Sequence, residues 1–87
     1  MKVILHRDFS KQFAKLDRKL RIRFVERKDL FLVNPHHSLL DNHELDHDWA
    51  GCRSINITGD FRAIFRPLPA DTIEFLAIGT HHQLYGK

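Results

Sequence analysis

The apolar residues of this 87-residue chain change their spacing once, and this change limits the folds that the chain can adopt. Between residues 9 and 31 they recur every three, four or seven positions, which is typical of a helix with one buried stripe. Between residues 52 and 78 they alternate with polar residues, as in β-strands. The sequence therefore predicts an α+β fold. The helical stripe consists of Phe9, Phe13, Leu16, Leu20, Phe24 and Phe31.

The helical region is predicted to follow a first strand at residues 2–6, with Asp8 as the N-cap of the first helix. Asp17 and Arg18 fit either within one long helix or in a tight turn between two helices. The packing needs of a small domain favour the hairpin. The residue before a proline avoids helical backbone angles, so the second helix should end near Asn34 and Pro35.

Three further strands are predicted at residues 52–57, 61–66 and 72–78, because these segments are rich in Ile, Phe and Thr and are separated by turn residues. We expect an N-terminal strand and a helical hairpin packed on a small antiparallel β-sheet. If a three-residue loop pairs Ile57 with Phe61, the face toward the helices carries Ile55, Ile57, Phe61, Ala63, Phe65, Ile73, Phe75 and Ala77. The opposite face, which is either solvated or a binding surface, carries Cys52, Ser54, Asn56, Arg62, Ile64, Arg66, Glu74 and Leu76.

Length and composition indicate the class of protein. A chain of 87 residues with 43% apolar residues suits one domain, which we expect to span residues 1–87. A single cysteine, Cys52, cannot form an internal disulfide, and no stretch resembles a secretory signal. No apolar run approaches the roughly 20 residues that a membrane span requires. We therefore expect a cytosolic protein.

Charge is divided unevenly along the chain. Residues 1–28 hold ten Lys and Arg against three acidic residues, a net charge of +7, whereas residues 29–87 carry a net charge of −4. Clustered basic residues attract polyanions such as nucleic acids, or an acidic protein partner. A solvated helix face is an equally ordinary explanation.

Histidine is abundant, with seven residues, four of which lie between positions 36 and 47. The string HELDH at 43–47 matches the H-E-x-x-H zinc motif, which requires that both histidines lie on one helix. Here the string follows Pro35 and precedes Gly51, which predicts a loop or a short strand. We therefore expect no metal and no other cofactor.

Metal-free acid–base chemistry is the alternative use of these histidines. RNA cleavage by attack of a 2′-hydroxyl needs a base, an acid and a cation near the phosphate. Candidates for proton transfer are His43, Asp60 and His81, and Arg62 is the candidate cation. Either Tyr85 or Phe61 offers an aromatic ring on which an exposed base can stack.

Over essentially its whole length the chain resembles the RelE/ParE toxin superfamily: a first strand and a helical pair that ends at Asn34 and Pro35 are followed by WAGCR at 49–53, GDFRAIF at 59–65 and GTHHQLYG at 79–86. The last is most similar to the YafQ branch of mRNA interferases. This resemblance implies a bacterial, cytoplasmic toxin of a type II toxin–antitoxin pair, an endoribonuclease that cleaves mRNA in the ribosomal A site without a metal. It also implies a RelB/DinJ-like antitoxin as a partner, with a toxin that is monomeric alone and oligomeric with its antitoxin.

The resemblance implies catalytic roles for His43, Asp60, His81 and Tyr85. Arg62 corresponds to a strand arginine that other members place against the scissile phosphate, and Phe61 to an aromatic that is often Trp. Asn56 stands where the YafQ branch has a further catalytic histidine. Asparagine donates hydrogen bonds but does not shuttle protons near pH 7. The implied RNA-binding set is therefore Arg62, Phe61 and Asn56.

Each assignment has an alternative. Arg62 can pair with Glu74 across the sheet, Asp60 can cap a hairpin turn, Tyr85 can be a packing residue, and His47 can take the place of His43. The resemblance also admits other functions. ParE-like members of the superfamily poison DNA gyrase by binding, and loss of a histidine at Asn56 is compatible with an inactive protein that only binds antitoxin.

Overall fold

The fold begins with one strand and two helices. The computed structural model describes residues 1–86, and β1 (Lys2–Leu5) leads into α1 (Arg7–Ala14) and α2 (Arg18–Val33). The predicted hairpin is confirmed. Asp17 forms the N-cap of α2, with its Oδ1 accepting from the amide of Leu20 at 2.9 Å. The N-cap of α1 is His6 instead of Asp8, because the His6 Nδ1 accepts from the Asp8 amide at 3.0 Å.

The second half contains four strands and a short helix. A 3-10 turn (Ser38–Leu40) precedes β2 (His43–Glu44), and a second one (His47–Trp49) follows it. The remaining elements are β3 (Arg53–Thr58), β4 (Phe61–Leu68), β5 (Thr72–Thr80) and α3 (His81–Tyr85). The predicted α+β fold is thus confirmed.

The strands form one five-stranded sheet in the order β1-β5-β4-β3-β2. β3, β4 and β5 form the predicted antiparallel meander. β1 pairs with β5 in parallel, so the complete sheet is mixed. The sequence does not predict β2, because two exposed polar residues carry no strand pattern.

A β-bulge changes the predicted pairing in the β3–β4 hairpin. Thr58 pairs with Phe61 across the two-residue turn at Gly59 and Asp60, so the predicted Ile57–Phe61 pair is wrong. Gly59 has φ +51, a left-handed conformation that suits glycine in a tight hairpin. The register shift between Asn56 and Thr58 nevertheless keeps Ile57 in the core.

A second irregularity lies between β4 and β5. Ile64 pairs with Ala77 and Phe65 with Phe75, so Leu76 is an extra residue without a partner. The prediction that Ala77 faces the helices is therefore wrong, because the shift places it with Ile64 on the other face. Ile78 occupies the core side instead.

The main core lies between the helices and the sheet, and aromatic rings dominate it. Phe9 contacts Phe24 and Phe75, with ring centroids 5.1 and 5.6 Å apart. Phe31 packs edge-on against Phe65 at 5.0 Å. The predicted helical stripe therefore does pack on the predicted strand face, and tilted or edge-on ring pairs of this kind add to the stability gained from area burial.

A second cluster covers part of the opposite sheet face. It consists of buried Cys52, Ile64 and Ala77, with Leu45, Trp49, Leu76, Leu84 and Tyr85 packed against them. The Trp49 Nε1–H donates to the carbonyl oxygen of Leu84 at 3.1 Å and so joins the segment after β2 to α3. In residues 1–86, no helix has the length and apolar character needed to cross a membrane.

Candidate functional site

Arg62 is the one charged side chain that is buried among residues 1–86, with 8% of its surface exposed. Its Nε donates to Ser54 Oγ at 2.9 Å. Its Nη2 donates to the backbone carbonyl of Asp41 at 2.7 Å, and its Nη1 to Asp41 Oδ2 at 3.3 Å. A buried guanidinium is stable only when its donors are satisfied, and Ser54 and Asp41 satisfy them here.

The alternative pairing of Arg62 with Glu74 is wrong. Arg62 lies opposite Gly79 on β5, whereas Arg66 lies opposite Glu74 and contacts its Oε1 through Nη2 at 2.6 Å. Arg62 instead extends its side chain across β3 toward the loop before β2.

His43 joins this network from the outer strand. Its Nδ1 lies 2.9 Å from the Asp41 carbonyl oxygen and 3.3 Å from Arg62 Nη2. The Oδ1 of Asp41 is 3.9 Å from the same nitrogen. Asp41, His43, Ser54 and Arg62 therefore form one connected group, which we call the His43 group.

His47 lies apart from the His43 group. Its side chain is 92% exposed, and its Nε2 is 3.7 Å from Asp46 Oδ1. His43 belongs to β2 and His47 to a 3-10 turn, so HELDH lacks the single helix that its zinc motif requires. Residues 1–86 contain no group of three or more His, Cys, Asp or Glu side chains suited to hold a metal ion.

His81 begins α3 at the end of β5. Its backbone amide donates to the Asp60 carbonyl oxygen at 3.1 Å. Its exposed imidazole contacts the Tyr85 ring edge-on, with centroids 4.6 Å apart. These residues, Asp60, His81 and Tyr85, form what we call the His81 group.

A capping box holds the His81 group in place. Thr80 Oγ1 accepts from the Gln83 amide at 3.2 Å, and Gln83 Oε1 accepts from the Thr80 amide at 2.8 Å. Gly79 leaves room for this arrangement, because a Cβ there would lie 2.8 Å from Gln83 Oε1. The position of His81 therefore depends on a glycine two residues before it.

Tyr85 is partly buried in the second cluster. Its hydroxyl oxygen is buried and has no hydrogen-bond partner within the described part of the chain. The packing alternative for Tyr85 is thus realised in the structure, and its ring also supports the His81 imidazole.

Asn56 and Phe61 lie outside both groups. Asn56 Nδ2 donates to the Gly59 carbonyl oxygen at 3.1 Å, so this side chain stabilises the hairpin turn that carries Asp60. Phe61 is partly buried against the main core, on the face of the sheet opposite to Arg62. The structure therefore does not bring Phe61 together with the other predicted site residues.

The two groups lie on the same face of the sheet. Tyr85 packs against the cluster that contains Ile64, and Ile64 is two residues beyond Arg62 on β4. Three strand spacings separate β2 from β5, about 14 Å at roughly 4.8 Å per strand. His43 and His81 thus lie on the same face, on either side of the strand that carries Arg62.

Sequence reasoning missed Asp41 and Ser54. Ser54 is a small residue in a strand, and its burial beside Arg62 gives no sequence signal. Asp41 lies two positions before His43, which is the only signal for it.

Cys52 lies on the same face of the sheet and is buried. Burial raises the pKa of its thiol despite the nearby positive charge of Arg66.

The helices present a second surface. The outer side of α2 exposes Ile22 and Val25, and also Leu32 and Val33 near its end. A groove of about 320 Å³ lies beside Ile22 and Val25 and is lined by Phe13, Arg18, Arg21, Ile22, Val25 and Glu26. This surface combines apolar and basic side chains.

Residues 3–85 match the sequence profile described as ParE toxin of type II toxin–antitoxin system, parDE. No curated protein sequence matches the chain.

Several solved structures have a similar fold. A YoeB/ParE toxin from Agrobacterium tumefaciens superimposes with a TM-score of 0.77 at 19% identity, covering 93% of this chain and 99% of that chain. YafQ from Escherichia coli gives 0.76 at 24% identity, with 98% of both chains covered. A RelBE-type toxin–antitoxin complex from Mycobacterium tuberculosis gives 0.74 at 18% identity, covering 92% and 96%. At identities this low, the structural similarity shows a shared fold and nothing further.

Proposed function

Because this chain belongs to the ParE toxin family of type II toxin–antitoxin systems, we propose that it is the toxin of such a pair and acts as a ribosome-dependent endoribonuclease. The proposed substrate is mRNA in the ribosomal A site, and the proposed result is arrest of translation in the bacterial cytoplasm. The observation that carries this proposal is that His43 and His81 lie on one sheet face, with the buried guanidinium of Arg62 in contact with His43.

The proposed reaction needs two proton transfers at one phosphate, so both imidazoles must extend toward it from strands whose axes lie about 14 Å apart. One imidazole accepts the 2′-hydroxyl proton, and the 2′-oxygen forms a bond to phosphorus. The bond from phosphorus to the 5′-oxygen then breaks, and that oxygen takes a proton from the other imidazole in its protonated form. The products are a 2′,3′-cyclic phosphate and a free 5′-hydroxyl, so no metal or redox cofactor is required.

The remaining residues have supporting roles. Arg62 stabilises negative charge on the phosphate, which reaches its Nη1 edge by competing with the Asp41 carboxylate. Asp60 holds the hairpin turn against His81, and Tyr85 supports the His81 ring and offers an aromatic edge to a base. Asn56 orders the same turn, and Phe61 supports β4 from the core side.

An antitoxin is the proposed protein partner, since a structural neighbour is a toxin–antitoxin complex. The groove beside Ile22 and Val25 suits an amphipathic acidic helix, because its apolar floor is accompanied by Arg18 and Arg21. The basic residues of α1 and α2 that remain free suit ribosomal RNA. We propose that the toxin alone is monomeric and that it forms an oligomer with its antitoxin.

Gyrase poisoning is the second candidate, and the match to a profile named for ParE favours it. That function acts by binding and needs neither imidazole. The two candidates therefore differ in their dependence on His81.

The deciding experiment is mRNA cleavage in a purified translation system, with and without ribosomes. We compare the wild-type protein with His81→Ala, and use His82→Ala as the matched control, because His82 is the exposed neighbour in the same helix. Ribosome-dependent cuts in the A-site codon that are lost only in His81→Ala support the nuclease. Intact mRNA, together with inhibited DNA supercoiling by gyrase, would replace it with the second candidate.

A further inference from the structure

Asp41 has an unusual backbone. Its φ of 44° and ψ of 50° are left-handed, a conformation that Asp, Asn and Gly tolerate and β-branched residues avoid. It follows the 3-10 turn whose Leu40 is fully buried, and its amide donates to the Ser38 carbonyl oxygen at 3.3 Å. The direction of the Asp41 carbonyl is therefore determined by a local turn that is anchored in the core.

That carbonyl contacts both functional side chains of the His43 group. It accepts from Arg62 Nη2 at 2.7 Å and lies 2.9 Å from His43 Nδ1. A carbonyl oxygen only accepts, so the contact with His43 forms a hydrogen bond only when Nδ1 carries the proton. Arg62, which only donates, favours the opposite tautomer, but its distance to Nδ1 is longer, at 3.3 Å.

We propose that Asp41 is a positioning residue whose backbone carbonyl holds neutral His43 in the tautomer protonated at Nδ1, so that Nε2 is the free basic nitrogen. The catalytic consequence rests on the proposed function: with Nε2 free, His43 is the base that accepts the 2′-hydroxyl proton. The left-handed turn orients the carbonyl, Arg62 anchors it, and the carboxylate contributes charge without determining the tautomer.

The tautomer is measured directly by long-range ¹H–¹⁵N NMR of the imidazole rings in the free protein, at a pH where His43 is neutral. We expect the Nδ1–H pattern for His43 in the wild type. An Nε2–H pattern would overturn the proposal, whatever the protein does on ribosomes.

Two variants separate the carbonyl from the carboxylate. Asp41→Gly and Asp41→Val both remove the carboxylate, but glycine permits the left-handed turn and valine opposes it. We expect Asp41→Gly to retain the Nδ1–H tautomer and Asp41→Val to give a mixture. Loss of the tautomer in Asp41→Gly would assign its control to the carboxylate, and equal spectra for both variants would show that the turn is irrelevant. Either result overturns the proposal.

Cleavage kinetics connect the tautomer to the reaction. On stalled ribosomes, Asp41→Val should have a kcat about tenfold below that of Asp41→Gly at the same KM, because both variants lack the carboxylate that pairs with Arg62 and differ only in the backbone turn. A change in KM alone would mean that Asp41 acts in binding, contrary to this inference. Wild-type protein that shows the expected tautomer but cleaves no mRNA would refute the proposed function and leave the tautomer assignment intact.

Discussion

The backbone amide of His81 donates to the carbonyl oxygen of Asp60 at 3.1 Å, and this bond joins the start of α3 to the β3–β4 turn. The His81 imidazole is consequently placed by two elements that are distant in the sequence. Asn56, which donates to Gly59 in the same turn, supports this placement without touching His81. Asn56 thus has a structural role in this turn.

Gly79→Ala should displace His81. The new Cβ would lie 2.8 Å from Gln83 Oε1, so the Gln83 side chain must turn away and the Thr80 amide loses its partner, at a cost of about 0.5–1.5 kcal/mol in the free energy of unfolding. We expect the rate of mRNA cleavage to fall as well, because the His81 imidazole is displaced. Urea denaturation measures the stability, and the double variant with Gln83→Ala is the control. Because the second change removes the clashing oxygen, strictly additive costs would contradict this explanation.

His43→Ala should reduce cleavage far more than His47→Ala. His43 contacts Asp41 and Arg62, whereas the His47 side chain is 92% exposed and lies outside the His43 group. Loss of a general acid or base lowers the rate by roughly 10²- to 10⁴-fold. Single-turnover cleavage on stalled ribosomes gives the comparison, and equal rates for the two variants would remove His43 from the mechanism.

Arg62→Met should destabilise the protein more than Arg66→Met. Removal of Arg62 leaves the fully buried Ser54 hydroxyl without its partner, and an unpaired buried polar group costs roughly 1–3 kcal/mol. Arg66 is half-exposed and its partner Glu74 is 15% exposed, so Arg66→Met leaves a carboxylate that water still reaches, and we expect a cost near the upper end of the roughly 0–1 kcal/mol of surface pairs. The two urea midpoints decide the matter. A smaller loss for Arg62→Met would show that the buried network adds no stability.

Val25→Asp should weaken antitoxin binding and leave the fold intact. Val25 is exposed on the outer side of α2 and lines the groove, so the change removes apolar contact and adds a charge that repels an acidic partner. Calorimetric titration with the cognate antitoxin measures the affinity. Lys11→Gln is the matched control, because it also changes the net charge by −1 at an exposed position, on α1 and outside the residues that line the groove. Equal losses of affinity would mean that net charge, and not the groove, controls binding.

Cys52 should react slowly with iodoacetamide in the native protein. Burial raises the pKa of its thiol, and the reactive thiolate is therefore scarce. Since the folded state holds this proton more tightly than the unfolded state, its contribution to stability is present below the ordinary thiol pKa and decreases as the pH rises past it. Labelling rates with and without urea test the point, and similar rates in both conditions would show an accessible thiol.

The sequence by itself determined the first strand, the helical hairpin, the three-stranded meander and most of the residues that meet in the main core. A helix repeats every 3.6 residues and a strand every two. The spacing alone therefore predicts that Phe9 and Phe24 share one face of the helices, and that Ile55 and Phe75 share one face of the sheet. The sequence also identified four candidate site residues from their type and their place near turns and strand ends: His43, Asp60, Arg62 and His81.

Only the tertiary structure decided how those residues are grouped. The bulge at Leu76 reversed the side of Ala77, and the parallel pairing of β1 with β5 joins the two ends of the chain. The Asp41 carbonyl became the contact between Arg62 and His43 because a left-handed turn directs it there. Such contacts depend on backbone direction and on strands that are distant in sequence, and neither leaves a periodic pattern in the residue types.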